Sequence, residues 1–186
     1  MKIKLILTVV FFLLMAALPL GFMVVTIHNT EETQKESNTN KINEVASLCS
    51  DSFCDDAIKA VAILHKTNTT AGNNQTKAGS NNSNSELYNR VESIYNSNGE
   101  ILTFKNKAVA IPYSQCSNGF TITDNRYPYL EAVASPWDRF SKSYSESLNC
   151  EGVSINGLDY LCKKGMSAEE ALKWYLPQLL FSTVES

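Results

Sequence analysis

Histidine is nearly missing from this sequence: His28 and His65 are the only two in 186 residues. A serine–histidine hydrolase is therefore poorly supported, because the base must be one of those two. His28 sits where a long apolar run ends, and His65 lies in a helical stretch that favours a half-buried, hydrogen-bonded ring. Glycine-rich phosphate loops and zinc-protease signatures are also lacking: there is no GxGxxG, Walker loop, HExxH or GxSxG. Lys and Arg never cluster, so no surface exists to neutralise a row of phosphates, which argues against nucleic acid as a partner. Against 16 Lys plus Arg stand 19 Asp plus Glu. Lys2 and Lys4 precede the apolar run, so the remainder is more acidic than the whole. Cysteines number five, an odd count, so at least one is free, metal-bound or paired with another chain.

One long hydrophobic run is present. Residues 5–27, LILTVVFFLLMAALPLGFMVVTI, exceed the ~20 residues that carry a helix across a bilayer core. Pro19 and Gly21 are tolerated in such a helix. A cleaved signal peptide would have a shorter apolar region closed by a small-x-small site, and none closes this one. Lys2 and Lys4 before the run, and Glu31 and Glu32 after it, predict a cytoplasmic N-terminus with the rest outside. The expected organisation is a cytoplasmic tip and transmembrane anchor over 1–27, a polar tether over 28–41 and one domain over 42–186. About 140 residues suit one core.

The domain's periodicity changes along its length. In Ser52–Lys66, Phe53, Ala57, Ala60 and Leu64 recur at helical spacing, with Ile58, Val61 and Ala62 widening the stripe into a nearly buried helix. Ser52 reads as its N-cap, with Asp55 and Asp56 in the first turn, where the helix dipole favours anions. Residues 67–85 are Asn-rich and read as a mobile loop. Arg90–Tyr95 and Glu100–Phe104 read as strands joined by Asn96-Ser97-Asn98-Gly99, and Lys105-Asn106-Lys107 turns into a third strand over Ala108–Tyr113. Phe120–Thr123 and Tyr129–Val133 are shorter strand candidates. Gly165 stops a short helix. Ser167 with Glu170 forms a capping box that opens another, running to Tyr175 before Pro177. The expected fold class is α+β: a single N-terminal transmembrane helix, then one mixed α/β extracytoplasmic domain with a hairpin-rich centre.

Cys49 and Cys54 are close in sequence, Cys116 lies in a polar turn, and Cys150 and Cys162 flank GVSING. Zinc held by Cys49, Cys54 and Cys116 is one option, although the spacing is not that of a zinc ribbon. Disulfides such as Cys49–Cys54, inert thiols and a reactive thiol are the others. No other cofactor is implied.

Four segments in order, VASLCSDSFCDDAIKAVAILHKT, NSNGEILTFKNKAVAIPYSQCSNGFT, YLEAVASPWD and GVSINGLDYLCKKGMSAEEALKWYLP, resemble the stage II sporulation protein D (amidase-enhancer) family. The resemblance runs from about Val45 to Pro177. It implies a membrane-anchored sporulation protein that acts on peptidoglycan during engulfment, where family members cleave glycan strands as lytic transglycosylases beside partner wall hydrolases. Such cleavage needs a carboxylic acid that protonates the glycosidic oxygen and then acts as base.

The resemblance fails where chemistry is needed. Leu48 aligns with the family glutamate, Ser114 with the family histidine, and Ile155-Asn156 with a Gln-Tyr pair. The family arginine aligns with Lys66. Asp51, Asp55 and Asp56 are the candidates for a displaced acid, and a shifted alignment brings in Glu44. Lys66, Ser117, Gly119, Ser154 and Trp137 are the candidates for glycan contact. The expectation is a non-catalytic relative that binds peptidoglycan or a wall-hydrolase partner; the alternative is an active lytic transglycosylase with a displaced acid.

Overall fold

A computed structural model describes residues 36–73 and 85–183. The chain divides into two units, Met1–Lys41 and Ile42–Ser186. In the first, residues 36–41 are described and helical, where composition predicts a tether. The expected membrane-spanning helix over 5–27 lies outside the described residues. Among those described, no helix is long and apolar enough to cross a membrane.

The second unit is mixed α/β. Residues 42–48 form α1, which buries Ile42 and Val45, one turn apart. α2 (Asp55–Thr70) is the central helix. Ala57, Ile58 and Ala60–Leu64 are almost entirely buried, in keeping with the narrow polar face of the sequence. Burial on this scale stabilises by about 1.5–3 kcal/mol for each larger aliphatic side chain. The helix starts later than the Ser52 cap implies: Cys54 holds the N-cap position without a side-chain bond. It also runs on past Lys66, into the stretch whose composition reads as loop. Thr67 Oγ1 donates to the Ile63 carbonyl and accepts from Leu102 N–H, and the Asn68 amide spans both backbone groups of Ile111. Polar residues thus continue a buried helix because each is satisfied by its neighbours.

α3 (Glu86–Ser97) overturns the strand expected over Arg90–Tyr95. Tyr88, Val91 and Tyr95 are its buried residues, at helical spacing, and the Ser85 hydroxyl accepts from Tyr88 N–H as N-cap. The Asn96–Gly99 segment therefore leaves a helix and is no hairpin. The one hairpin among the described strands joins β1 (Glu100–Phe104) to β2 (Lys107–Ala108). Lys105 and Asn106 both take positive φ there, 50° and 61°, the conformation of a two-residue type I′ turn.

β5 (Leu180–Thr183) adds to the other edge of β1, giving an antiparallel sheet in the order β2-β1-β5. Of the expected strand over Ala108–Tyr113, only its two ends pair. Tyr113 and Ser114 form β3, which lies parallel to β4 (Val153–Ser154). Phe120–Thr123 and Tyr129–Val133 do not form strands; single bridges link Phe120 to Ala134 and Ile122 to Glu151. A 3₁₀ helix covers Pro136–Phe140. α4 (Ile155–Lys163) and α5 (Ala168–Tyr175) then pack on α2. The capping box at Ser167 and Glu170 forms as the sequence implies. The centre is thus extended loop with one hairpin, not hairpin-rich.

Candidate functional site

Four stretches of chain line a cleft of about 670 Å³. The link between α1 and α2 supplies one wall, including Leu48, Cys49 and Phe53. The 3₁₀ helix and the turn after it supply Trp137, Asp138, Phe140 and Lys142. α4 supplies Asn156, Asp159, Tyr160 and Lys163, and Gln115 reaches in from the end of β3. Leu48, the residue aligned with the family acid, therefore lines this cleft.

Aromatic faces and amides dominate the cleft's chemistry. Trp137 stacks on Tyr160 with ring centres 5.6 Å apart and planes 3° off parallel, and Phe140 stacks on the same tyrosine at 6.4 Å. Phe140 is 82% exposed. Gln115 Nε2 donates to Asn156 Oδ1 at 2.8 Å, and Asn156 Nδ2 donates to Ser141 Oγ at 2.7 Å. Such surfaces suit ligands with apolar faces and hydroxyl edges.

Two carboxylates line the cleft, and both are engaged. Asp138 is 1% exposed. Its Oδ2 accepts from Ser117 N–H and from the Ser117 and Ser135 hydroxyls, and its Oδ1 accepts from the Ser154 hydroxyl. Asp159 accepts from Lys163 Nζ at 2.6 Å, one turn along α4, and from Cys54 N–H at 3.3 Å.

Ser117 and Ser154 are fully buried around Asp138 and are not among the residues lining the cleft. Ser154 also N-caps α4, accepting from Gly157 N–H. Ser114 pairs with Ser154 across β3 and β4, so the segments aligned with the family's histidine turn and Gln-Tyr turn do meet. Gly119, at φ +112°, holds a turn and accepts from Ser135 N–H through its carbonyl. Lys66 lies away from the cleft: its ammonium donates to the Tyr95 and Asn98 carbonyls at the end of α3. Of the glycan-contact candidates, Trp137 alone lines the cleft.

The displaced-acid candidates also lie off the cleft lining. Asp51 is exposed, between Ser50 and Ser52, which do line it. Asp55 pairs with Arg90 at 2.6 Å, and Asp56 accepts from Ala168 N–H at the start of α5. Glu44 accepts from His65 Nε2 at 2.7 Å; the other ring nitrogen of that buried histidine meets the Tyr95 hydroxyl.

All five cysteines are free thiols. Among the described residues no group of three or more His, Cys, Asp or Glu is placed to hold a metal, so Cys49, Cys54 and Cys116 are not gathered into a ligand set. Burial, then the Asp159 charge, pushes the Cys49 thiol up to about 12, which leaves it a poor nucleophile in the cleft wall.

The reading from residues misses Gln115, Asp138, Phe140, Asn156 and Tyr160. Asp138 stood in plain view inside SPWD but reads as a turn residue, and the aromatic stack joins α4 to a 3₁₀ helix across a separation that no local pattern reports.

No protein-family model matches the chain. Part of it is similar to the stage II sporulation protein D of two bacilli: 37% identical over 59 residues to that of Bacillus amyloliquefaciens, and 34% over 59 residues to that of Bacillus subtilis (strain 168). Each match covers 29% of this chain and 17% of the relative. The chain thus spans less than a fifth of the length of the curated relatives it matches, and its relation to stage II sporulation protein D holds over that stretch.

Proposed function

We propose that this chain is a membrane-anchored sporulation protein of the stage II sporulation protein D type, and that its cleft binds peptidoglycan without cleaving it. The partial similarity to those proteins supports the sporulation role. The apolar run over 5–27 supports a single-pass anchor with the domain outside the cell membrane. One observation carries the non-catalytic part: Leu48 occupies the aligned acid position in a cleft whose two carboxylates are already engaged. General acid catalysis requires a carboxylic acid within reach of the leaving oxygen, and an isobutyl group transfers no proton. The Trp137–Tyr160–Phe140 stack, edged by Gln115 and Asn156, retains what a sugar face and its hydroxyls need. A wall-hydrolase partner is the second occupant this reading allows.

The test uses full-length protein in detergent with purified sacculi. Sedimentation with the wall, and no anhydro-sugar products after long incubation, are expected. Anhydro products would refute the non-catalytic reading, and absence of both wall affinity and a wall-enzyme partner would refute the whole. One feature favours the alternative, an active lytic transglycosylase: Asp138 does line the cleft. If products form, their loss in Asp138→Asn but not in Asp51→Asn would assign the acid to Asp138.

A further inference from the structure

Cys54 and Cys162 are 108 positions apart in the chain, yet they meet where the N-terminus of α2 abuts α4. The Cys54 N–H bonds to Asp159 Oδ1 at 3.3 Å, and Asp159 precedes Cys162 by three residues on α4. Residues three apart on a helix are neighbours on one face. On the other side, Lys163 Nζ lies 5.9 Å from the centre of the Phe53 ring. The Cys54 thiol is close enough to add to the upward pull that burial exerts on the Cys162 thiol. Cys162 is buried and Cys54 is half-buried, so Cys54 is the more accessible of the two residues. Their neighbours Phe53, Tyr160 and Lys163 all line the cleft.

We propose that Cys54 and Cys162 are an oxidisable pair that closes to a disulfide, tying the start of α2 to α4 beside the cleft. The oxidant is a thiol–disulfide reagent, represented in the test by oxidised glutathione. The Cys54 thiolate attacks one sulfur of its S–S bond, forming a mixed disulfide and releasing one glutathione thiol. Cys162 gives up its proton and attacks the Cys54 sulfur, releasing the second. Two S–H bonds are lost and one protein S–S bond forms; two electrons pass to the oxidant, and the protons end on the two glutathione thiols. Burial pushes the Cys162 thiol up to about 12. The first attack therefore belongs to Cys54, and the second step is the slower one.

The other thiols are less well placed. Cys116 Sγ points at the Ser117 and Asp138 carbonyls, and Cys150 Sγ at that of Glu151. Cys49 lies in the cleft wall with its thiol held up by burial.

The experiment takes reduced full-length protein in detergent, adds oxidised glutathione at pH 8, blocks residual thiols with N-ethylmaleimide and maps non-reduced peptides by mass spectrometry. The expected result is one intramolecular linkage, Cys54 to Cys162, with three thiols still blocked. Closing a loop of roughly 100 residues should raise Tm by about 10 °C or more, and both Cys54→Ser and Cys162→Ser should abolish that rise. A different linkage, a mixed disulfide on Cys54 that never resolves, or five blocked thiols would overturn the pairing. The peptide map reads the linkage directly, so it decides even if a serine variant folds poorly.

Discussion

Alanine at Gly157 should unsettle the whole floor of the cleft. The added Cβ would fall 1.9 Å from Tyr175 Oη, 2.9 Å from Ser135 Oγ and 3.0 Å from Trp137 Nε1. Tyr175 is fully buried, its hydroxyl 2.6 Å from that of Ser135 and 3.2 Å from Trp137 Nε1, which donates to it. Restoring ordinary contact at about 3.5 Å would push that hydroxyl more than about 1 Å, away from both partners. Overpacking costs about 1–3 kcal/mol, and two weakened buried hydrogen bonds add about 1 kcal/mol each. Gly157→Ala should therefore destabilise by about 3–5 kcal/mol, read as a lower urea midpoint at unchanged m. Tyr175→Phe alone should cost about 1–2 kcal/mol, because Trp137 N–H loses its acceptor while Ser135 keeps Asp138. Removing the hydroxyl also removes the atom the new methyl strikes, so the double variant should be at least about 1 kcal/mol more stable than the two costs summed. Additivity within about 0.5 kcal/mol would refute the reasoning and mean that the α4 backbone yields instead.

Three further outcomes follow from other contacts. Asn68→Ala strips both backbone groups of Ile111 of their buried partner and should cost about 2–4 kcal/mol by urea unfolding. Lys59 holds the Glu169 carboxyl below its usual range, chiefly through their hydrogen bond. A depressed acid stabilises above its unfolded pKa of about 4.3 and loses that contribution as pH falls through the folded value, so Lys59→Ala should show a smaller drop in Tm between pH 7 and pH 3 than the parent. Phe140 is largely exposed and stacks on Tyr160; Phe140→Ala should shift stability by less than about 0.5 kcal/mol while weakening sedimentation with sacculi about three- to tenfold.

Elements whose signals are local were legible in the sequence. α5 carries its own start and stop in Ser167, Glu170 and Pro177, and β1 emerged with the bounds read from its residues. α3 reads as a strand because a window of six residues from Arg90 is too short to separate a period of 3.6 from one of 2, and its cap, Ser85, is hidden at the end of an Asn-rich run. The tail of α2 was missed for the opposite reason: Thr67 and Asn68 look like loop residues and are helical because distant backbone groups, at Leu102 and Ile111, complete their hydrogen bonds. β5 depends on an edge of β1 that only the folded chain presents.

The candidate site followed the same division. Alignment brings Leu48 to the acid position, and Leu48 does line a cleft, but the small polar residues expected to line it with Leu48 are spent elsewhere. Ser117 and Ser154 turn their hydroxyls onto Asp138; Ser154 caps α4 as well. A residue type chosen for hydrogen bonding carries no label for its partner, and a buried carboxylate competes strongly for every nearby hydroxyl because an unsatisfied charge in the interior costs more than a lost surface contact. The cluster that resemblance assigns to ligand contact therefore acts as the bracket joining the 3₁₀ helix, β3 and α4. Selection for the fold alone would retain the serines and Asp138, whereas turnover would require a proton donor in the cleft as well.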